Sequence, residues 1–337
     1  MPLTCTLQGR RTIIEFMSLD EAAGHLNGCI TVSDRNISSL YGSRFPVHCI
    51  LEPGEQAKHD NSLKRIIEAL ISLEASRDTV LTALGGGVVC DITAFAASIY
   101  KRGMDLVLVP TTFLAMVDAS VGGKTGIDHD GYKNLLGTFY PASRVMVCIE
   151  FLETLSAHEY RNGLAELLKH ALLSGDMLFR RVLENRNLLK RRDRDFLEEM
   201  IRESLMYKVN IVEQDPEEKL GIRQLLNFGH TFGHALESSS SFSLTHGDAV
   251  AWGIIKALEA GTMLGFTDEE YLAAVCDLFT FLSFSVDIPV PDKRSFMKSL
   301  RQDKKRRGET VPFILQKTPG DSFLFPLPLE VVESLIL

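Results

Sequence analysis

The segment from Asn227 to Glu237, which reads NFGHTFGHALE, carries histidines at a spacing that suits a metal ion. His230 and His234 are four residues apart, so a helix would carry both on one face, and His246 follows twelve residues after His234. Imidazole nitrogens are ligands of zinc, and a catalytic zinc site commonly adds a carboxylate and keeps one position open. The spacing therefore predicts a site for zinc or a similar ion, and the alternative is a set of hydrogen-bonded core histidines.

A charged pair lies in the leucine-rich segment from Gly163 to His170, which reads GLAELLKH. Glu166 and Lys169 are three residues apart, and on a helix surface such a pair contributes only about 0.2–0.5 kcal/mol. The surrounding leucines favour burial instead, and a buried charge needs a partner such as a metal ion. Glu166 is therefore a candidate carboxylate ligand, with a surface ion pair as the alternative.

Three consecutive glycines, Gly85 to Gly87, follow a predicted strand and precede a predicted helix that Asp91 opens. Glycine leaves the backbone amides bare, so they can approach a phosphate at a helix N-terminus. In the pattern G-x-G-x-x-G the third glycine allows close packing of helix and strand, and Cys90 occupies that position here. The segment predicts a turn of the dinucleotide-binding type, and the alternative is a tight turn without a ligand.

The sequence VGGKTG at Val121 to Gly126 contains the end of a nucleotide triphosphate loop. That loop needs a glycine at position 118, where Asp118 places a carboxylate, so we exclude a P-loop ATPase. What remains is a glycine-rich polar segment after Pro110, at a strand end, where parallel sheets bind ligands. Its candidate site residues are Asp118, Lys124, Lys133 and Asn134, and the alternative is an exposed loop.

Other charged positions are weaker candidates because each residue type is more often a solvated surface group. They are Lys208, Arg223 with Asn227 four residues later, and the run Asp303, Lys304 and Lys305. Together they would suit an acidic substrate that carries phosphate or carboxylate. A dinucleotide turn, a metal site and these cations favour the oxidation of an alcohol on an anionic small molecule.

The elements that must position these residues change character near the middle of the chain. The first half predicts five β-branched strands and two helices, at 29–32, 47–51, 79–84, 106–109 and 145–149, and at 62–73 and 91–100. From Ala157 to Leu282 the apolar spacing is mostly three and four, which indicates helices. We predict a Rossmann-like α/β domain at 1–155 and an all-α domain at 156–337, with the active site in the cleft between them.

Composition narrows the class of protein further. A chain of 337 residues favours two domains, and a net charge of −8 opposes binding to nucleic acid. The apolar stretch from Thr79 to Cys90 is too short to cross a membrane, and the first residues do not resemble an export signal. Six scattered cysteines without a C-x-x-C pair favour a reducing compartment. We therefore expect a cytoplasmic protein with no nucleic-acid or membrane partner.

Over residues 30 to 320 the chain resembles the 3-dehydroquinate synthase family. The matching segments are PGEQAK at 53–58, GGGVVCD at 85–91, PTT at 110–112, VDASVGGKTG at 117–126, KN at 133–134, GLAE at 163–166, LNFGHTFGHA at 226–235, HGDAV at 246–250 and DKK at 303–305. The resemblance implies conversion of 3-deoxy-D-arabino-heptulosonate 7-phosphate to 3-dehydroquinate and phosphate, a lyase reaction of the shikimate pathway. It implies transient oxidation by NAD, phosphate elimination, reduction and an intramolecular aldol closure.

The resemblance also implies a role for each matching residue. Glu166, His230 and His246 would bind the metal, zinc or else cobalt, while His234 would face the substrate. Arg102 would reach the site of a neighbouring subunit in a homodimer. The substrate site would contain Asp118, Lys124, Asn134, Lys169, Lys208, Arg223, Asn227 and Lys304 or Lys305; the NAD contacts would be Asp34, Asn36, Glu55, Lys58, Gly86, Gly87, Asp91, Thr111, Thr112, Lys133 and Thr154.

Two positions depart from the family pattern. Cys90 replaces a usual glycine, and Asp128 stands where the family often has asparagine. Relatives that form deoxy-inosose or valiolone rings from other sugar phosphates therefore remain alternatives. A metal-dependent polyol dehydrogenase, which would release NADH, is an alternative of a different class.

Overall fold

The structure, a computed structural model, describes residues 2–130, 132–240, 244–302 and 310–336. Lys304 and Lys305 therefore lie outside the described residues. Packing divides the chain into two compact units, Met1–Tyr160 with Lys208–Glu217, and Arg161–Tyr207 with Glu218–Leu337. The domain boundary after residue 155 stays a prediction.

A seven-stranded sheet forms the centre of the first unit. The strands are β1 Leu3–Leu7, β2 Arg10–Phe16, β3 Ile30–Asp34, β4 Cys49–Leu51, β5 Val80–Gly85, β6 Asp105–Pro110 and β9 Arg144–Val147. The order across the sheet is β1-β2-β9-β6-β5-β3-β4, in which β1 and β2 pair antiparallel and all other neighbours pair parallel. Each of the five predicted strands overlaps a strand of this sheet, so the α/β prediction is confirmed.

The helices that accompany the sheet include α1 Leu19–His25, α2 Arg35–Tyr41, α3 Asp60–Ser72 and α4 Gly87–Ile99. Helix α3 buries Ile66 and Leu70 on one face, as its apolar spacing predicts. Helix α4 begins at Gly87, so it starts one turn before Asp91, where we expected it to open. Glycine has a low helix propensity, and the expectation failed because tertiary packing overrides that propensity here.

The glycine-rich segment after Asp118 forms an antiparallel hairpin, β7 Lys124–His129 and β8 Tyr132–Phe139, instead of an irregular loop. Gly126 pairs opposite Gly137, where the hairpin strands approach closely. This hairpin was not predicted, because glycine, lysine and aspartate are depleted in strands and conceal its strand pattern. Strands β1 and β2 were not predicted either.

Among its described residues, the second unit is helical apart from one antiparallel hairpin, β10 Thr310–Gln316 and β11 Ser322–Pro328. The helices from residue 157 onwards are α5 Ala157–Ser174, α6 Asp176–Glu184, α7 Arg186–Lys190, α8 Arg194–Gln214, α9 His230–Ser239, α10 His246–Met263, α11 Glu269–Phe281, α12 Lys293–Gln302 and α13 Leu329–Leu335. The first residues of α5 and the last of α8 belong to the first unit. Within the described ranges, no helix is both long and apolar enough to cross a bilayer.

Helix α10 lies at the centre of the hydrophobic core of the second unit. Its Trp252 is 1% exposed, and the indole contacts the rings of Phe232 on α9 and Phe296 on α12 edge to face. Phe232 also stacks on Phe313 of β10, with ring centroids 4.4 Å apart. This aromatic cluster fixes α9 against α10, and each of these two helices begins with a candidate metal ligand.

A buried glutamine joins three elements of the second unit. Gln316 is fully buried, and its Nε2 donates to Leu172 O of α5 at 2.9 Å and to Ser322 Oγ of β11 at 2.8 Å. Its Oε1 accepts from the hydroxyl of Tyr271 on α11 at 2.5 Å. A fully paired buried amide of this kind fixes a unique arrangement of its neighbours, here including the helix that carries Glu166.

We predict that Gln316→Leu lowers the free energy of unfolding by about 1–3 kcal/mol, because Leu172 O and the Tyr271 hydroxyl lose a buried partner. Urea unfolding followed by circular dichroism measures the change. Gln56→Leu, at an exposed position, is the control and should leave the free energy nearly unchanged. Equal effects of the two substitutions would contradict this account of Gln316.

Candidate active site

Three helices of the second unit bring one carboxylate and two imidazoles together. Glu166 of α5 places its Oε1 3.3 Å from Nε2 of His230 and 3.4 Å from Nε2 of His246, the first residues of α9 and α10. One ligand atom from each residue lies within 4.8 Å of the others. A carboxylate with two imidazoles is a donor set that catalytic zinc uses, so these residues fit a divalent cation.

His234 lies beside this cluster. Its ring centroid is 5.3 Å from that of His230 and 6.3 Å from that of His246, and its side chain is exposed. His234 also forms a second, overlapping triad with Glu237 and His246. The helical spacing of His230 and His234 thus predicted two neighbouring imidazoles. The carboxylate of the first triad, Glu166, comes from α5, which is distant in the sequence.

The charges around Glu166 favour the protonation states that a cation needs. Lys169 Nζ lies 2.5 Å from Glu166 Oε2, and both side chains are buried. Burial opposes ionisation of Glu166, but Lys169 and the two imidazoles hold the pKa of that carboxyl well below its usual value. Burial and then Lys169 lower the pKa of His230, so its imidazole is neutral. An ionised carboxylate and a neutral imidazole are ready to bind a metal.

His246 behaves differently when no cation is bound. Burial disfavours its imidazolium form, but the carboxylates of Glu166 and Glu237 outweigh burial and raise the pKa of His246 to about 10. A cation that binds Nε2 must therefore displace a proton from this histidine. Metal binding at the cluster is coupled to proton release for this reason.

A close crossing of α9 and α10 sets the separation of the two histidines. A Cβ atom on Gly253 of α10 would lie 2.1 Å from the carbonyl oxygen of Gly229, the residue directly before His230. Only glycine fits at position 253, because the obstacle is backbone. Gly229 itself has φ +80°, which turns the chain sharply into α9.

The start of α10 is also fixed against α5. The N–H of Gly247 donates to Asn162 Oδ1 at 2.9 Å, and the Thr245 hydroxyl accepts from the N–H of Asp248 as the N-cap of α10. Arg161 Nε lies 3.7 Å from Asp248 Oδ1. These contacts hold the residues on either side of His246 in place while the side chain itself reaches Glu166.

In the first unit, the carboxyl edge of the sheet gathers most of the predicted cofactor residues. Ser33 pairs with Leu84 and Gly85 with Pro110, so the residues at or directly after the ends of β3, β5 and β6 are neighbours at this edge. The members of this set are Asp34, Asn36, Gly86, Gly87, Thr111 and Thr112. The strand order therefore brings together groups that the sequence separates by almost eighty positions.

The glycine turn ends β5 and opens α4. Gly86 is the N-cap, and a Cβ there would lie 3.0 Å from Cγ2 of Thr112, so the turn packs closely on the end of β6. Cys90 is buried, with its Sγ 3.6 Å from Gly85 O, and it occupies the place of the family glycine in the helix–strand contact. Burial raises the pKa of the Cys90 thiol, which makes it a packing residue and not a nucleophile.

Lys58 and Asp91 form an ion pair near this turn. Lys58 Nζ lies 2.5 Å from Asp91 Oδ2, and the lysine is 5% exposed. Burial raises the pKa of Asp91, and the Lys58 ammonium acts against that rise. Asp91 and Lys124 line one pocket of the first unit. Lys133 Nζ reaches to 4.0 Å from Glu55 Oε1, so a hairpin residue meets the segment that contains Lys58.

Asp34 and Thr154 have local structural partners. Asp34 Oδ1 accepts the N–H of Ile37 at 3.0 Å and so caps α2, whose first turn contains Asn36. Burial raises the pKa of Asp34, and the backbone N–H groups of α2 oppose the rise. The Thr154 hydroxyl is hydrogen-bonded to that of Tyr41 at 2.8 Å.

The substrate residues expected in the first unit include a second buried lysine, which pairs with the half-buried Asp118. Lys208 Nζ lies 2.7 Å from Asp118 Oδ1, and Asp118 belongs to a π-helical turn, Ala115–Ala119. Such turns are frequent at functional sites. Asn134 has φ +52°, and its N–H donates to Asp128 Oδ1 at 2.7 Å. An asparagine at position 128 would accept the same bond through its side-chain oxygen, so this departure from the family preserves the hairpin.

Arg223 and Asn227 lie in one short 3-10 helix, Arg223–Asn227, directly before the turn into α9. Arg223 is buried, with Nε 3.9 Å from Glu218 Oε1, whereas Asn227 is exposed. Arg102 is an exposed residue of the first unit, on a turn where Lys101 and Arg102 have φ +48° and +66°.

Glu237 also belongs to this cluster, although the sequence motifs did not predict it. Its Oε1 lies 3.4 Å from Nδ1 of His246, and the residue is 8% exposed. A signal was present, because Glu237 follows His230 by seven residues and so shares its helix face. The histidines of the motif were interpreted as candidate ligands, and the glutamate at its end was assigned no role.

Comparison with known proteins identifies the family of this chain. Models for the 3-dehydroquinate synthase N-terminal and C-terminal regions match residues 48–162 and 163–306. A 3-dehydroquinate synthase of Francisella tularensis subsp. tularensis is 39% identical over 303 residues, which cover 86% of this chain and 84% of the relative. The chain belongs to the 3-dehydroquinate synthase family. The resemblance stated from the sequence motifs is thus confirmed.

Solved structures of related cyclases share the fold of this family member. A 2-epi-5-epi-valiolone synthase from Streptomyces hygroscopicus subsp. jinggangensis, solved with NAD+ and Zn2+, has a TM-score of 0.86 at 26% identity and covers 97% of this chain and 95% of its own. A 2-deoxy-scyllo-inosose synthase has a TM-score of 0.85 at 24% identity over 100% and 99% of the two chains, which shows the fold alone.

We predict that Gly253→Ala weakens binding of divalent cations and lowers the free energy of unfolding by about 1–3 kcal/mol, since the new methyl group must push α9 away from α10. Zinc affinity by chelator competition and urea unfolding measure the two effects. Gly24→Ala in α1, where a Cβ meets open space, is the control and should keep both values or gain stability. Wild-type zinc affinity in Gly253→Ala would contradict the importance of this helix crossing.

Proposed function

We propose that this chain is an NAD- and metal-dependent enzyme that converts 3-deoxy-D-arabino-heptulosonate 7-phosphate to 3-dehydroquinate and phosphate. Membership of the 3-dehydroquinate synthase family supports the reaction. The single structural observation that supports this reaction is the triad of Glu166, His230 and His246. Their ligand atoms lie within 4.8 Å of one another, beside the buried ammonium of Lys169. Bound NAD supplies a reversible hydride acceptor, and a bound divalent cation, zinc or else cobalt, polarises the hydroxyl to be oxidised.

The first unit supplies the NAD contacts in this proposal. The N-terminus of α4 at Gly86 and Gly87 would bind the pyrophosphate, because its amides point outward and the helix dipole favours an anion. Asp34, at the end of β3, would accept a ribose hydroxyl. The remaining proposed contacts are Asn36, Glu55, Lys58, Asp91, Thr111, Thr112, Lys133 and Thr154.

The substrate carries a carboxylate and a phosphate, so the proposal assigns cationic and polar groups to both. Lysine and arginine bind such anions by charge-assisted hydrogen bonds, and these bonds stabilise the phosphate as it leaves. His234 is exposed beside the metal triad and would donate to the substrate. The other proposed substrate residues are Asp118, Lys124, Asn134, Lys169, Lys208, Arg223, Asn227 and Lys304.

Lys169 has a further part in this chemistry, which is to keep Glu166 ionised. Its Nζ lies 2.5 Å from Glu166 Oε2, which leaves Oε1 directed at the two histidines. Without this ammonium, burial would favour a protonated Glu166, which is a poor ligand. The lysine thus prepares the carboxylate for the cation.

The assembly and the compartment are part of the proposal. We infer a cytoplasmic homodimer in which Arg102 binds the substrate phosphate in the site of the neighbouring subunit. Support comes from its exposed position on a left-handed turn, since such backbone outliers occur at functional sites. Lys101 anchors this turn by donating from Nζ to Ala75 O at 2.7 Å.

We predict that the metal-loaded chain releases phosphate from 3-deoxy-D-arabino-heptulosonate 7-phosphate in molar excess over the NAD supplied, because the hydride returns to the substrate. A phosphate assay together with NADH absorbance measures both quantities. Accumulation of NADH in proportion to product would refute the synthase and indicate a polyol dehydrogenase. Turnover of a different sugar phosphate in place of this one would indicate another cyclase of the same fold.

We predict that His230→Ala loses both bound metal and turnover, whereas Arg102→Ala loses turnover and keeps its metal. A co-expressed heterodimer of the two variants, isolated through two different tags, should recover turnover at one of its two sites. That site combines an intact triad with Arg102 of the other subunit. Metal analysis and steady-state kinetics provide the readouts. A heterodimer as inactive as both parents would reject the role of Arg102 across the dimer, and full metal content in His230→Ala would overturn the ligand assignment.

A further inference from the structure

His246 contacts a carboxylate at each of its two ring nitrogens. Nε2 lies 3.4 Å from Glu166 Oε1, and Nδ1 lies 3.4 Å from Glu237 Oε1. A neutral imidazole carries one proton, so only one of its nitrogens can offer a lone pair to a cation. Which nitrogen does so depends on the hydrogen bond that the other nitrogen makes.

Glu237 is placed to make that second hydrogen bond. It lies on α9, the helix that begins with His230, and it is 8% exposed. The neighbouring residues Phe232, Ala235 and Leu236 of α9 are buried, so this part of the helix is fixed in the core. One helix thus supplies a metal ligand and also the carboxylate that faces the ligand on α10.

We propose that Glu237 is a positioning residue, which accepts the Nδ1–H of His246 and so directs the Nε2 lone pair toward the metal position. The inference rests on the proposed metal site and adds a residue to it. A carboxylate behind a ligating histidine fixes the tautomer and the ring orientation and increases the basicity of the ligand nitrogen. Glu237 acts through His246 and touches neither substrate nor cation.

The geometry also contains a competing role for Glu237. With His234 and His246 it forms a triad whose ligand atoms lie within 4.8 Å of one another, so Glu237 could itself be a ligand of a second ion. The two roles differ in stoichiometry. A positioning role predicts one tightly bound ion per chain, both in the wild-type protein and after Glu237 is replaced.

The test uses the full chain, stripped of metal and titrated with zinc against a chromophoric chelator. Glu237→Gln keeps an oxygen that can accept the Nδ1–H but removes the negative charge. We expect its zinc dissociation constant to increase 10–100-fold, which is the usual effect of losing such a partner. With Co2+ in place of zinc, we expect the visible absorption bands to shift, since the basicity of His246 changes.

The matched control is Glu259→Gln on α10. Glu259 pairs with Lys256 at 2.8 Å. The Glu259→Gln substitution should leave zinc affinity and the Co2+ spectrum unchanged. Thermal unfolding of the metal-free proteins checks that Glu237→Gln is folded. If it is not, Glu237→Asp replaces it, because this variant keeps the charge and is expected to lie between wild type and Gln in affinity.

Wild-type zinc affinity in Glu237→Gln, or an equal loss in the control, would overturn the inference. So would a second equivalent of zinc that binds wild type and is lost in Glu237→Gln, since Glu237 would then be a ligand. None of these readouts involves the heptulosonate phosphate. If the chain binds metal normally but does not catalyse the proposed reaction, the inference stands. If turnover is normal and Glu237→Gln keeps wild-type zinc affinity, the inference alone is rejected.

Discussion

The second unit depends on the burial of one ionised carboxylate. Glu166 is fully buried, and an isolated charge there would be unstable. Lys169 and two imidazoles surround it, so the charge is kept by partners from three different helices. Removing any one partner leaves the buried charge of Glu166 incompletely compensated, which is destabilising. The helices must therefore hold their positions closely. A divalent cation would satisfy the same carboxylate better than the two histidines alone.

Buried lysine paired with carboxylate is a theme of both units. Lys58, Lys169 and Lys208 are each at most 5% exposed, and they pair with Asp91, Glu166 and Asp118 at 2.5 to 2.7 Å. Lysine is rarely buried without such a partner. Buried pairs contribute little net stability, and they are expensive to break. All six residues of these three pairs are predicted site residues, which suits a protein that must present fixed charges to an anionic ligand.

Backbone packing, and not side-chain length, brings the charged groups within reach. Gly253 lets α10 touch the backbone of α9, and Asn162 fixes the start of α10 to α5. In the first unit, Gly86 packs on Thr112 at the carboxyl end of the parallel strands. Away from these sites, Gln316 and the aromatic cluster around Trp252 give the helices a single arrangement. Rigid elements can hold polar groups at distances that loops would not maintain.

The sequence by itself determined the alternation of strands and helices, the helical second half, the glycine turn and the histidine motif, because these are local periodicities and short-range spacings. It also placed the family, through motifs in a fixed order. It could not show the β7–β8 hairpin, whose glycines conceal the strand pattern, or the helix start at Gly87. The family resemblance grouped Glu166 with His230 and His246, but only the tertiary structure gave the contacts between them and showed that Glu237 lies at the other ring nitrogen of His246. These contacts join residues far apart in the chain, and helix crossings fix them without leaving a periodic signal in the sequence.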